Sequence, residues 1–341
     1  MTTTPKISVI VVAHERREFL RAAVGSVDRQ EFDRAAREVV VVTRFQDAAI
    51  DAWLQERGAT VVHSLADGLG GKLAQGIRAS RGEIISFLED DDRFAPGKLG
   101  AVAERFDEDP ALGFYHNGFR MIDEGGSAIA SRRLRQKGIR KGHGTVRLST
   151  PPGRGATLEL VGLQASHNCS SISVRRTMVD PFVVHLDRSG LSADLFLFVF
   201  ALLSGTRLAA DTRPLTDIRT HAANASPQSS PDVPLDWDRL RTYSETVLTN
   251  LSALTAVART LGADQVVHFV DGATNAERSI AELRSGRLTR KAAARLFGGL
   301  LATRDTSYVA ERRVVLPVMA LGILSPTLAR ASYAVGKRMG Y

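Results

Sequence analysis

Four carboxylates stand in a row at Glu89-Asp90-Asp91-Asp92, directly after an apolar run that ends at Leu88. Adjacent carboxylates repel one another, and without a counter-charge their pKa values rise. A hard divalent cation is the natural partner, because Mg²⁺ and Mn²⁺ take oxygen ligands and commonly bridge one or two carboxylates to phosphates. The competing reading is a solvated acidic turn that caps the next helix; the strand in front of the row favours the cation. A lone cysteine, Cys169, excludes an internal disulfide framework and a Cys-cluster zinc site, and it points to a reducing compartment. With no base beside it in a predicted strand, Cys169 reads as a small buried residue. His116, His167 and His185 belong to no motif.

The carboxylates need a frame. Ile7–Ala13 is a short run rich in Val and Ile, the pattern of a strand buried on both faces. Glu18–Val27 sets Phe19, Leu20, Ala23, Val24 and Val27 at helical spacing, and Glu38–Thr43 is β-branched. Ala48–Arg57 reads as a helix that Asp47 caps and Gly58 stops. Ala59–His63 reads as a strand, Gly68–Ser80 as a helix and Glu83–Leu88 as a strand. This alternation predicts an α/β chain with a Rossmann-like, doubly wound, mostly parallel sheet, in which ligands lie beyond the carboxyl ends of the strands. Those ends carry His14-Glu15, Thr43-Arg44 and the acidic row.

Arg81-Gly-Glu-Ile-Ile-Ser-Phe-Leu-Glu-Asp-Asp-Asp92, followed by Arg93-Phe-Ala-Pro-Gly-Lys-Leu99, resembles the "RGE…FLDDDD…P.KL" stretch of family 2 glycosyltransferases of the GT-A fold. Ser8–Leu20 resembles the strand, "TYNR"-like turn and helix that open that family. Gly113–Gly125 looks like its post-metal strand and hairpin, and Ser170–Arg176 like the strand before the acceptor helix. Ser192-Ala-Asp194 resembles its "ED" position, and Ile218–Ser226 its "R.H..N.S" closing motif. The resemblance covers residues 6–226 and implies a GT-A catalytic domain over 1–226, with a nucleotide-binding half at 1–110 and an acceptor half at 111–226. It further implies an inverting, metal-dependent transfer of a sugar from a nucleotide-diphosphate donor to a hydroxyl of a saccharide or lipid-linked acceptor, in cell-envelope or exopolysaccharide biosynthesis.

Position by position, Asp91 falls on the metal-binding carboxylate of the family's DxD pattern. Asp90 and Glu89 fall on neighbours that approach the ribose or the metal shell. His221 falls where a histidine lies near the diphosphate or the metal, and His14 where an aromatic packs against the base. Asp194 falls on the catalytic base, which takes the acceptor's proton as its oxygen attacks the anomeric carbon. Lys72 is placed to face phosphate as a point charge. Glu15 joins His14 as a donor-site candidate, although it and Arg16 also read as ordinary loop charges. Asp194 equally reads as an acid at the start of the helix Leu195–Leu203, and His221 as a loop histidine.

The sequence departs from the family in its donor half. Where the second strand commonly ends in "DDGS", this chain has Val42-Thr43-Arg44-Phe45-Gln46-Asp47, so the carboxylate that reads the nucleobase is replaced. The "GxxxARNxG" segment has become Gly70-Gly71-Lys72-Leu-Ala-Gln-Gly76, and Ala193 stands where a glutamate usually precedes the base. A Gly-rich phosphate loop and a "QxxRW" motif are both missing, which argues against a nucleotidyltransferase and a processive synthase. A non-catalytic GT-A-like module that binds a nucleotide or a partner is the alternative to an enzyme.

The chain has 341 residues, 44% hydrophobic and 24% charged, enough for a sizeable core and against global disorder. Pro227–Pro234 marks a linker, taken as 227–236, and 237–341 reads as a helical extension. Within it Val314–Ala329 carries no charge but holds Pro317 and Pro326. It suits an interfacial segment or a buried helical hairpin better than a span of about 20 residues. The N-terminal apolar run is too short for a signal peptide. The net charge of +8 is local: residues 281–341 hold eleven Lys and Arg against three acids. A basic, apolar tail points to an anionic membrane surface as partner, placing the protein in the cytoplasm, peripheral on the cytoplasmic face of the membrane. No interleaving of basic and aromatic residues supports nucleic acid.

Overall fold

The computed structural model describes residues 4–129, 146–148, 165–187, 189–190, 192–221, 224, 235–302 and 309–338. These fall into two units, one within residues 4–221 and the other within 224–338.

In the first unit, β1 (Ile7–Ala13) is buried at every position, as its unbroken apolar run requires. It pairs in parallel with β2 (Arg37–Thr43) on one side and β4 (Ile84–Glu89) on the other; β3 (Thr60–His63) continues the sheet beyond β2. The register pairs Ala13 with Thr43, Thr43 with His63, and Val12 with Glu89. Four strands therefore end level, and His14, Arg44 and Asp90 emerge together at one edge. Helices α1 (Arg17–Asp28), α2 (Ala48–Gln55) and α3 (Leu69–Ala79) connect them. Leu20, Ala23, Val24 and Val27 give α1 its buried stripe. Asp47 caps α2 as its sequence position predicts, accepting the N–H groups of Ala49 and Ile50. At Gly76, α3 lies so close to β1 that a Cβ would stand 2.4 Å from a methyl of Ile10.

Beyond β4 the sheet becomes mixed. The described strands run β3-β2-β1-β4-β8-β6-β9-β5, with β7 (Val146–Leu148) also on β9. Here β5 is Arg93–Phe94, β6 Leu112–Ile122, β8 Ile172–Arg175 and β9 Arg207–Arg219. Helix α4 (Lys98–Glu108) joins β5 to β6. β8 is antiparallel to both β4 and β6, whereas β6 and β9 are parallel. The mostly parallel character expected from the sequence thus belongs to β1–β4. Cys169 lies in a 3₁₀ turn ahead of β8 and not in the strand expected for it, because Asn168 adopts a positive φ and its side chain caps the turn. Short helices α5 (Arg176–Val179) and α6 (Val183–Leu186) lead to α7 (Ala193–Ser204), whose residues 195–201 are all buried and which stops at Gly205 with φ +71°.

The second unit is helical, with α8 (Trp237–Thr260), α9 (Asp264–Ser285), α10 (Arg290–Ala302), α11 (Val309–Leu324) and α12 (Pro326–Arg338). Its core includes Ile280, Leu283, Leu296, Val315, Met319, Ala329 and Tyr333. Arg284 is buried at its centre, donating to Ser244 Oγ (2.6 Å), Glu277 Oε1 (3.2 Å) and the Tyr333 hydroxyl (2.9 Å). The uncharged stretch 314–329 is divided between α11 and α12, which break at Ser325–Pro326. No described helix is long and apolar enough to cross a membrane. The expected linker lies mostly outside the described residues.

Candidate active site

The acidic row leaves β4 at the level strand edge, and each of its members has a different environment. Asp90 is buried and accepts the His14 backbone N–H (3.1 Å) and Arg16 Nη2 (2.6 Å). Asp92 is buried and faces inward, accepting the Arg219 N–H (3.0 Å) and approached by Asn168 Nδ2 (3.4 Å). Glu89 donates its N–H to Ser170 Oγ (3.0 Å). Asp91 is the carboxylate left facing Arg16 Nη1 (2.7 Å) and His221 Nε2 (3.0 Å).

Like-charge crowding has the effect foreseen from the sequence, but burial exceeds it. Burial, with Asp91, Asp92 and Asp194 nearby, pushes the Glu89 carboxyl far above the usual range. Burial raises Asp90 to about 6 against the pull of Arg16, and raises Asp92 to about 7 with Asp91 adding to it.

His221 follows the end of β9 and packs against Phe19 of α1 with ring centroids 5.1 Å apart; Arg219 stacks over the same ring at 4.7 Å. Arg219 also donates Nε to the Asp91 carbonyl (2.8 Å), fixing the loop whose side chain His221 meets. His221 Nε2 lies 3.2 Å from Arg16 Nη1 as well as 3.0 Å from Asp91. A ring nitrogen either donates or accepts, so it cannot hydrogen-bond both at once.

That geometry bears on whether the residues fit a divalent cation. Asp91 Oδ2 and His221 Nε2 are 3.0 Å apart, and adjacent ligands of an octahedral ion with bonds near 2.1 Å stand about 3.0 Å apart. Among the described residues no group of three or more His, Cys, Asp or Glu assembles into a metal cage. One or two protein ligands suffice for an ion whose shell is completed by phosphate oxygens and water. The donor set fits, with one qualification that the structure makes explicit: Arg16 occupies the same carboxylate oxygen.

Asp194 opens α7. Its carboxylate accepts the Leu195 N–H and the Asn168 N–H, both at 2.8 Å, so it serves its own helix and reaches across the site at once. Burial raises its pKa, with His167 and the two N–H groups holding it back. Asn168 has φ +66°, the one positive value among described non-glycine residues. Its backbone N–H holds Asp194 while its amide approaches Asp92, so it joins Asp194 to the acidic row.

The remaining candidates line the strand edge. Lys72 is 2% exposed and directs Nζ to His14 Nδ1 (3.1 Å) and the Asp67 carbonyl (3.3 Å). Burial lowers both pKa values of this pair. Glu15 is exposed and makes no hydrogen bond or ion pair among the described residues; its charge acts on His14. Thr43 donates its hydroxyl to the Phe45 carbonyl (2.9 Å), and Arg44 pairs with Asp67 (2.7 Å). Asp47 caps α2 and pairs with Arg17 Nε (3.3 Å).

Sequence reasoning missed Arg16, Asn168 and Lys98. Lys98 is fully buried beneath the row, donating to the Ser170 carbonyl and to Thr216 Oγ1 (3.1 Å) with Phe94 below it. The signal for Arg16 was a cation at the position before a helix where Ser, Asp or Asn is preferred. Asn168 had no such signal.

Residues 8–176 match the family described as Glycosyl transferase family 2. The putative glycosyltransferase EpsH of Bacillus subtilis is 29% identical over 98 residues, 27% of this chain and 28% of that protein. An uncharacterized glycosyltransferase of Nostoc sp., alr2836, is 30% identical over 121 residues, 33% of this chain and 36% of that protein. The chain thus matches about a third of the length of these relatives. Crystal structures of S. aureus TarS 1–349 superpose with a TM-score of 0.52 at 14% identity, covering 93% of this chain and 92% of that one. TarS in complex with UDP-GlcNAc gives 0.51. At that identity the likeness establishes the GT-A fold.

Proposed function

Residues 8–176 belong to glycosyl transferase family 2, and from that premise we propose that this chain transfers a sugar, with inversion, from a nucleotide-diphosphate donor to a hydroxyl group. The observation that carries the reading is the meeting of Asp91, His221 and Arg16 at the level strand edge, with Asp194 tied to the same loop through Asn168. Asp194 accepts the acceptor's hydroxyl proton, the freed oxygen bonds to the anomeric carbon, and the bond from that carbon to the diphosphate oxygen breaks. The nucleoside diphosphate leaves with the bonding electrons. When bound at Asp91 and His221, a divalent cation would supply positive charge to the departing diphosphate. Glu89, Asp90, His14, Glu15 and Lys72 form the donor-side wall. TarS, a structural neighbour, is known in complex with UDP-GlcNAc, which supports a nucleotide sugar as donor here.

The acceptor is a saccharide or lipid-linked hydroxyl in envelope or exopolysaccharide assembly, reached from the cytoplasmic face of the membrane. Exposed Arg287, Arg290, Lys291 and Arg295, and the solvent-facing Leu324, Leu328 and Val335, support the membrane part of this reading.

Asp194→Asn and Asp91→Asn should each lower transfer at least about 100-fold while leaving the melting temperature near that of the parent. The assay is donor consumption across a panel of nucleotide sugars with Mn²⁺ and without it. Wild-type rates in Asp194→Asn remove the proposed base. The rewired Thr43-Arg44 end of β2 favours one second reading, a module that binds a nucleotide without turnover. Calorimetric binding of a nucleoside diphosphate with no consumption of any donor would select it.

A further inference from the structure

Arg16 stands at a helix start where its chemistry is out of place. It is the N-cap residue of α1 and makes no side-chain capping bond. A capping Ser, Asp or Asn there stabilises a helix by about 1 kcal/mol, and the positive end of the helix dipole disfavours a cation. What holds Arg16 is the acidic row: one guanidinium arm meets Asp90 at 2.6 Å and the other meets Asp91 at 2.7 Å. Burial works against its charge, and Asp90 and Asp91 outweigh that cost, so its pKa is raised. Its Nε is buried and has no hydrogen-bond partner among the described residues. The side chain therefore pays for burial at one donor in order to bridge two carboxylates with the others.

The oxygen that Arg16 occupies, Asp91 Oδ2, is the one 3.0 Å from His221 Nε2. Guanidinium and divalent ion need the same lone pairs, and two cations on one carboxylate oxygen repel. We propose that Arg16 is a built-in counter-ion that competes with a divalent cation for Asp91, so that cation entry breaks the Arg16–Asp91 contact while Arg16 stays on Asp90. Arg16 thereby sets the affinity of the site for the ion: it keeps the bare site weakly receptive and offsets the charge of Asp90 and Asp91 in part when no ion is bound. The inference rests on Asp91 as a cation ligand and goes beyond it.

Mn²⁺ titration of the 341-residue chain by calorimetry tests this, with Arg16→Gln and Arg16→Lys as variants. Arg16→Gln should bind Mn²⁺ about tenfold more tightly than the parent, and adding Asp91→Asn to it should abolish the gain. Arg16→Lys, a point charge that cannot fork to two carboxylates, should fall between them. Equal or weaker binding in Arg16→Gln overturns the competition and leaves the cation site standing. No Mn²⁺ binding in any of the proteins overturns both. A second measurement observes the wild-type chain: the Arg16 Nε resonance in ¹⁵N-arginine-labelled protein, assigned by its loss in Arg16→Lys, should shift on adding Mg²⁺. An unmoved resonance at saturating Mg²⁺ overturns the proposal even if Arg16→Gln does not fold.

Discussion

Asn168 shows how much of a site can hang on one backbone conformation. A positive φ is tolerated by Gly and, among other residues, best by Asn and Asp; for Ala or a larger residue it costs roughly 1–2 kcal/mol. Here that conformation aims the N–H at Asp194 and the amide at Asp92. Asn168→Gly keeps the backbone and loses only the amide, whereas Asn168→Ala strains the turn. Chemical denaturation should find Asn168→Ala about 1 kcal/mol less stable than Asn168→Gly, and donor turnover should fall in the order parent, Gly, Ala. Equal turnover in Gly and Ala variants would remove Asn168 from the support of Asp194. The acidic row and Asp194 were legible in the sequence because their motifs are contiguous. Arg16 and Asn168 were not, because each acts through a partner 74 to 76 positions away, or 26 in the case of Asp194.

At the scale of elements, β1 to β4 and their helices were readable to within about two residues, since each is a single run of one periodicity with a breaker at its end. The far half of the sheet was less so. β6 and β9 carry polar and charged residues such as His116, Asn117, Asp211 and Arg213 inside strands, and β9 includes Pro214. Tertiary pairing decides there, not local propensity. His116 on β6 is a testable instance. It is 1% exposed, its Nε2 bonds the His167 carbonyl at 2.9 Å, and burial holds its pKa down at about 3. Below pH 6.5 the unfolded chain takes up a proton there and the folded chain does not, so stability falls with pH, by up to about 1.4 kcal/mol per unit. Asp90 and Asp92, with raised values, act with the opposite sign. The difference between parent and His116→Gln isolates the histidine. His116→Gln should lose less stability than the parent between pH 6.5 and 4.5 in urea melts; parallel losses would contradict the assignment.

For the whole molecule, the +8 charge is a property of its last residues, and the fold gives it company. On α12 the exposed positions Leu328, Ala331, Ser332 and Val335 carry no charge, while Ala329 and Tyr333 fill the core behind them. Replacing Leu328 and Val335 together by Glu should leave the melting temperature unchanged, since both are more than half exposed. The same change should sharply reduce flotation with vesicles that contain anionic lipid. Undiminished flotation would dissociate this face from the membrane. The tail's charge and its broken apolar run were plain in the sequence; which residues turn outward was not, because the exposed Leu324, Leu328 and Val335 are themselves apolar.

One feature of the sheet has a temporal meaning. β8 lies between β4 and β6, and β9 between β6 and β5, although both are made after all three of those neighbours. His221, which meets Arg16 from 205 positions further along the chain, is later still. On the ribosome the acidic row therefore emerges long before the strand that seals it, and the nascent chain holds a gap in its sheet until β9 arrives. A product cut short between Glu108 and His221 carries the whole acidic row but lacks the histidine that meets Asp91. Synthesis as far as His221 therefore comes before the proposed donor site can form.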